Sequence, residues 1–99
     1  MSSQLGPWVI VSSIGKDVSE QDLERIRPKI ISLVDNWQSS KGTMWSGSFN
    51  DQPSSMAIFE ATDEEANKFY KEYSDACENV LVHYMYKWDA MPILSILSK

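Results

Sequence analysis

The chain has 99 residues, 42% of them hydrophobic and 23% charged, a balance that suits one folded domain and leaves no stretch polar enough for disorder. A net charge of −5 argues against binding to nucleic-acid backbones, and no apolar run approaches the ~20 residues that cross a bilayer. One cysteine, Cys77, and one histidine, His83, exclude an internal disulfide framework and fall short of a structural zinc ligand set.

The opening "MSSQLGPW" has no basic segment followed by an apolar one, so a soluble, cytoplasmic protein is expected. "PWVIVSSI" (7–14) is rich in β-branched and aromatic residues, has proline before it and "GKD" after it, and reads as a strand. "SEQD" then opens a helix, with Ser19 as N-cap and Asp22 three residues on. Leu23, Ile26, Ile30, Leu33, Val34 and Trp37 recur behind it at helical spacing. Pro28 interrupts this pattern and predicts a kink or break near Arg27, since proline removes a donor and crowds the preceding turn.

"SSKG" ends the helix and "TMWSGSF" follows as a second strand. "NDQPSS" is turn chemistry, and "MAIFEA" makes a third strand that should pair with the second as a hairpin. "TDEE" opens a second helix, Thr62 and Glu65 standing at capping-box spacing. Ala66, Phe69, Tyr70, Tyr73, Ala76, Cys77 and Val80 form its apolar stripe, in which Cys77 is a small buried hydrophobe. A fourth strand, "VLVHYMYKW", closes the pattern. The order β-α-β-β-α-β predicts an α+β fold, the ferredoxin-like plait, with two helices on one face of a four-stranded antiparallel sheet. One domain over residues 1–99 is expected, with a short C-terminal strand from Ile93, Leu94, Ile96 and Leu97.

Charge is unevenly spread. Between Glu60 and Glu78 seven acids face only Lys68 and Lys71, giving −5 locally, whereas residues 16–41 carry five charges of each sign. The acidic stretch is a solvated helix face or a docking surface.

A sheet covered on one side only should alternate apolar with polar residues. These strands do not. Trp8, Val9, Ile10 and Val11 are consecutive, Met56, Ala57, Ile58 and Phe59 fill both parities, and the last strand sets Val80, Val82, Tyr84, Tyr86 and Trp88 against Leu81, His83, Met85 and Lys87. A second cover is needed, and a second copy of the same sheet supplies it. The expected partner is therefore another copy of this chain, a homodimer joined through the sheet face and the C-terminal strand, the alternative being that this strand folds back over its own sheet.

The segments "WSGSFND" and "MAIFEATDEEANKFYKEY" resemble the hairpin and capped helix of the dimeric α+β barrel superfamily, which includes YCII-like, muconolactone isomerase-like and antibiotic-biosynthesis-monooxygenase-like proteins. "MPILSIL" is similar to the "PVL" tail of an uncharacterised group of small members. The resemblance implies a homodimer with a small apolar cavity between sheet and helices or partner.

Candidate ligand-binding residues are Trp45 and Ser46, which precede the bare backbone of Gly47, Glu60 at the end of an apolar strand, and Tyr84 and Tyr86, whose rings pair an apolar body with a polar tip. His83 is the candidate catalytic residue, being the one side chain whose ordinary pKa lies near neutrality. Each has a plainer reading as packing, interface or solvated surface. Arg25 and Arg27 are placed to hold a carboxylate or to face solvent. Phosphate loops, nucleophile elbows, metal-ligand spacings and dinucleotide fingerprints are missing, so no cofactor or metal is expected. The expected function is binding of a small hydrophobic or aromatic molecule in an apolar cleft. The alternatives are a cofactor-independent isomerase or monooxygenase-like enzyme using His83, and an assembly module without ligand.

Overall fold

The computed structural model describes residues 5–50 and 53–88. They form β1 (Gly6–Ile14), α1 (Glu20–Ser40), β2 (Met44–Ser48), β3 (Ser54–Ala61), α2 (Asp63–Cys77) and β4 (Leu81–Lys87). The sheet order is β2-β3-β1-β4 with every pair antiparallel, which is the ferredoxin-like plait. The strand expected from Ile93, Leu94, Ile96 and Leu97 lies outside the described residues. No described helix is long and apolar enough to cross a membrane.

Register decides where the core sits. On the helix-facing side the strands align Met44, Phe59, Trp8 and Lys87 in one row across the sheet. Ser46, Ala57, Ile10 and Met85 form the next, and Ser48, Ser55, Ser12 and His83 the third. The first row is made of large side chains, and there the two helices press closest. Trp37 of α1, Phe59 of β3 and Phe69 of α2 form a triangle of rings with centroids 5.3, 5.2 and 5.3 Å apart. Such tilted and edge-on contacts suit aromatic quadrupoles. The Trp8 indole, buried beside them, donates to the Ala61 carbonyl at 3.1 Å. Among the described residues every buried side-chain nitrogen or oxygen has a hydrogen-bond partner.

Both predicted capping boxes form. Ser19 Oγ accepts from the Asp22 amide while the Asp22 carboxylate accepts from the Ser19 amide, each at 3.1 Å. Thr62 and Glu65 do the same at 3.2 and 3.1 Å. Both side chains of the second box are half-buried against the core, so Thr62→Ala should cost about 1 kcal/mol. A urea titration checks this: the midpoint should fall while the slope stays constant.

The break expected at Pro28 does not occur, and α1 runs through it from Glu20 to Ser40. Proline deprives the Glu24 carbonyl of its helical partner, but Glu24 and Pro28 are both exposed, which leaves that carbonyl on the solvent side of the helix. Ile26 on one side and Trp37 on the other are buried and anchor both halves of the helix. At the far end, α2 stops at Cys77, and Glu78 and Asn79 adopt left-handed φ values of 48° and 65°. Glu78 accepts from Arg25 at 2.9 Å and from Lys29, tying this turn to α1. Val80, assigned to the helix stripe by spacing, lies beyond the helix and is buried at the entrance to β4.

Candidate functional site

The third helix-facing row is made of small side chains on β2, β3 and β1, and reaches α2 only through Ser12 and His83. Ser12, Ser48 and Ser55 end one carbon beyond the backbone, and behind them Ser46 and Ala57 add little. A cleft of about 230 Å³ results, floored by these serines and walled by Ile30 and Val34 of α1, Phe69 and Tyr73 of α2, and Ile10 and Met44 of the sheet. Among the described residues no Asp, Glu, Lys, Arg or His lines it. A larger groove of about 410 Å³ between α1 and α2 is rimmed by Lys41, Glu64, Glu65, Lys68 and Glu72. Its charges are mixed, and Lys41 and Glu65 pair within it at 2.9 Å.

Two hydroxyls mark the inner end of the cleft. Ser12, 4% exposed on a stripe shared with Trp8 and Ile10, shares a hydrogen bond with the Tyr73 hydroxyl at 2.6 Å. Burial pushes the Tyr73 pKa up from 10.0 to about 12, and burial likewise raises Cys77 from 9.0 to about 11. An acid whose pKa rises on folding keeps its proton longer in the native state. Native protein then binds more protons than the unfolded chain between the two values, and stability falls as pH rises through that window. Stability should therefore decline from about pH 9 to pH 12. A Tyr73→Phe, Cys77→Ala double variant should show a shallower decline in urea midpoints measured across that range.

No described residue covers the opposite face, called the bare face below. Its rows are Trp45, Ile58, Val9 and Tyr86, then Gly47, Met56, Val11 and Tyr84. Trp45 is 74% exposed and Tyr84 and Tyr86 are each 57% exposed, with Val82, Trp88 and Phe49 also open to solvent. Ser13 and Ser54 border this surface at one end and Glu60, opposite Pro7, at the other. Beside Gly47 a hollow of about 230 Å³ is lined by Trp45, Phe49, Met56 and Ile58.

The structure thus divides the residues singled out from sequence between two faces. Trp45, Glu60, Tyr84 and Tyr86 lie on the bare face, while Ser46 lines the helix-side cleft. His83 is on the helix side without lining the cleft. Its ring packs edge-on against Tyr70 and Tyr73 at centroid distances of 5.3 and 5.6 Å. The Tyr70 hydroxyl donates to the His83 carbonyl at 3.2 Å and lies 2.9 Å from His83 Nδ1. Arg25 pairs with Asp22 and Glu78, each at 2.9 Å. Ser12, Ser48, Ser55 and Tyr73 were not singled out from sequence. The available signal was Ser12, a hydroxyl on the same parity as Trp8 and Ile10. Among the described residues no three His, Cys, Asp or Glu side chains gather as a metal site.

Strand order and helix placement define an α+β protein of ferredoxin-like fold. No family model and no curated protein matches the chain. Among solved structures it is similar to an uncharacterized protein from Thermotoga maritima, with a TM-score of 0.58 at 4% identity, covering 87% of this chain and 100% of that one. It is also similar to a dimeric ferredoxin-like protein of unknown function from Thermobifida fusca, with a TM-score of 0.41 at 8% identity, covering 83% of this chain and 91% of that one. The first likeness is one of fold alone.

Proposed function

We propose that this protein is a homodimeric α+β barrel in which two bare sheet faces cover each other and each subunit's cleft binds a small hydrophobic or aromatic molecule. The observation that carries the reading is the sheet itself: helices cover one face except at the cleft, and the other face is apolar and uncovered among the described residues. At roughly 150–250 Å² per large aromatic side chain, the exposed parts of the aromatic residues on the bare face and Val82 amount to about 700 Å². A stable interface removes about 800 Å² from each partner. The face also has the anatomy of an interface, an uncharged apolar centre with serines and one carboxylate at its rim. The resemblance of the hairpin and second helix to the dimeric α+β barrel superfamily points the same way.

The cleft suits a ligand because it is concave and mostly apolar with a few convergent polar groups. Its size suits one ring, since a cavity of about 150 Å³ accepts benzene. His83, bonded to Tyr70 and packed behind Tyr73, holds the cleft's tyrosine in position under this reading. The test is sedimentation velocity together with a thermal-shift screen of single-ring aromatics on the full chain. A dimer that gains stability with ring compounds is the expected result. A strict monomer would overturn the assembly, and a screen without any response would overturn the ligand.

A further inference from the structure

We infer that the cleft selects neutral single-ring molecules bearing one hydroxyl or carbonyl group, which the Ser12 and Tyr73 hydroxyls recognise at its inner end. This rests on the ligand-binding reading above and narrows it. Among the described residues the cleft's lining holds no charged side chain, so a carboxylate or ammonium drawn inside would lose its hydration with no ion among them to pair with. An anion-binding or cation-binding function is therefore a poor match to this site, although the chain as a whole is acidic.

The polar groups that are present set the positive requirement. Among the described residues the polar side chains lining the cleft are all hydroxyls, from Ser12, Ser46, Ser48, Ser55 and Tyr73. A hydroxyl both donates and accepts, so it matches a phenol, an alcohol or a carbonyl without any change of protonation. The 2.6 Å hydrogen bond between Ser12 and Tyr73 uses only one proton of the pair. The capacity that remains on the pair is shared between the Cys77 thiol, which also engages the Tyr73 hydroxyl, and a ligand. Burial keeps Tyr73 protonated well above neutral pH, so its role as a donor is constant across physiological conditions. The opposite wall, from Ile30, Val34, Met44 and Phe69, offers only apolar contact. A ligand with a polar group at one end and hydrocarbon at the other is oriented by that asymmetry.

The experiment uses three probes that share a ring and a methyl group: toluene, p-cresol and p-toluate. Binding to the full chain at pH 7.5 is read by NMR shifts of Val34 and Ile30 methyls. p-Cresol should bind about three- to tenfold more tightly than toluene, the value of one net hydrogen bond, and p-toluate should show no saturable shift. Tyr73→Phe and, separately, Ser12→Ala should remove the p-cresol advantage while toluene affinity is retained. Val34→Phe, which fills the cleft, should abolish binding of both. Equal affinity for toluene and p-cresol, or preference for p-toluate, would overturn the selectivity and leave the apolar-ligand reading standing. Absence of binding by all three at millimolar concentration would overturn both. Binding that survives Val34→Phe would place the ligand elsewhere and overturn the assignment to this cleft. Should Tyr73→Phe fail to fold, the ranking of the three probes on the parent chain still decides.

Discussion

A Tyr84→Glu variant is expected to sediment as a monomer at concentrations where the parent sediments as a dimer, with its far-UV circular dichroism unchanged. Tyr84 stands beside Val11 in the second row of the bare face, is 57% exposed, and touches none of the helix-side core. Substitution on this edge strand should cost the subunit no more than about 1 kcal/mol of strand preference. Pairing two copies, however, would bury two carboxylates with no cation opposite them. At about 3 kcal/mol for each unpaired buried charge, association weakens roughly 10⁴-fold. Asn67→Glu, which adds the same charge on the exposed surface of α2, should leave the dimer intact. A Tyr84→Glu protein that remains dimeric would show that the bare face is not the interface.

The fold was readable because its signals are local. Ser19 with Asp22 and Thr62 with Glu65 announce helix starts within four residues, and both boxes form. "NDQPSS" separates two segments that pair as the antiparallel strands β2 and β3. Apolar residues at both parities of β1, β3 and β4 announced a sheet with two greasy faces, and the bare rows of Trp45, Tyr84 and Tyr86 are that second face. Of the kink or break that Pro28 suggests, the break does not occur, because the carbonyl it orphans belongs to an exposed residue, which local sequence does not reveal. The cleft was hidden for a different reason. It arises where Ser48, Ser55 and Ser12 fall side by side, and that adjacency is a property of register across three strands rather than of any one segment. His83 drew attention as the only titratable ring near neutrality, yet the pairing of Ser12 with His83 sets it beneath α2 against Tyr70 and Tyr73. A single-strand reading could assign it a face but not neighbours.

Phe59→Ala should remove about 3–5 kcal/mol of stability, a large share of the roughly 5–15 kcal/mol typical of a folded domain. Phe59 is 2% exposed. It sits between Trp8 and Met44 in the first helix-facing row, and its ring contacts those of Trp37 and Phe69. Neighbours on four elements therefore lose contact atoms at once, and the strands, fixed by their backbone hydrogen bonds, can close only part of the gap. Phe59→Leu, which keeps most of the volume, should cost less than half as much. Concentration dependence separates this effect from that of Tyr84→Glu. Dimerisation stabilises the native state by mass action, so the parent's unfolding midpoint should rise with protein concentration. Phe59→Ala should shift that line downward and keep its slope, because the bare face is untouched. Tyr84→Glu should flatten it, because a monomer has no such term. If Phe59→Ala also flattened the line, core packing and assembly would be one cooperative event, and the subunit would have no stable fold apart from its partner.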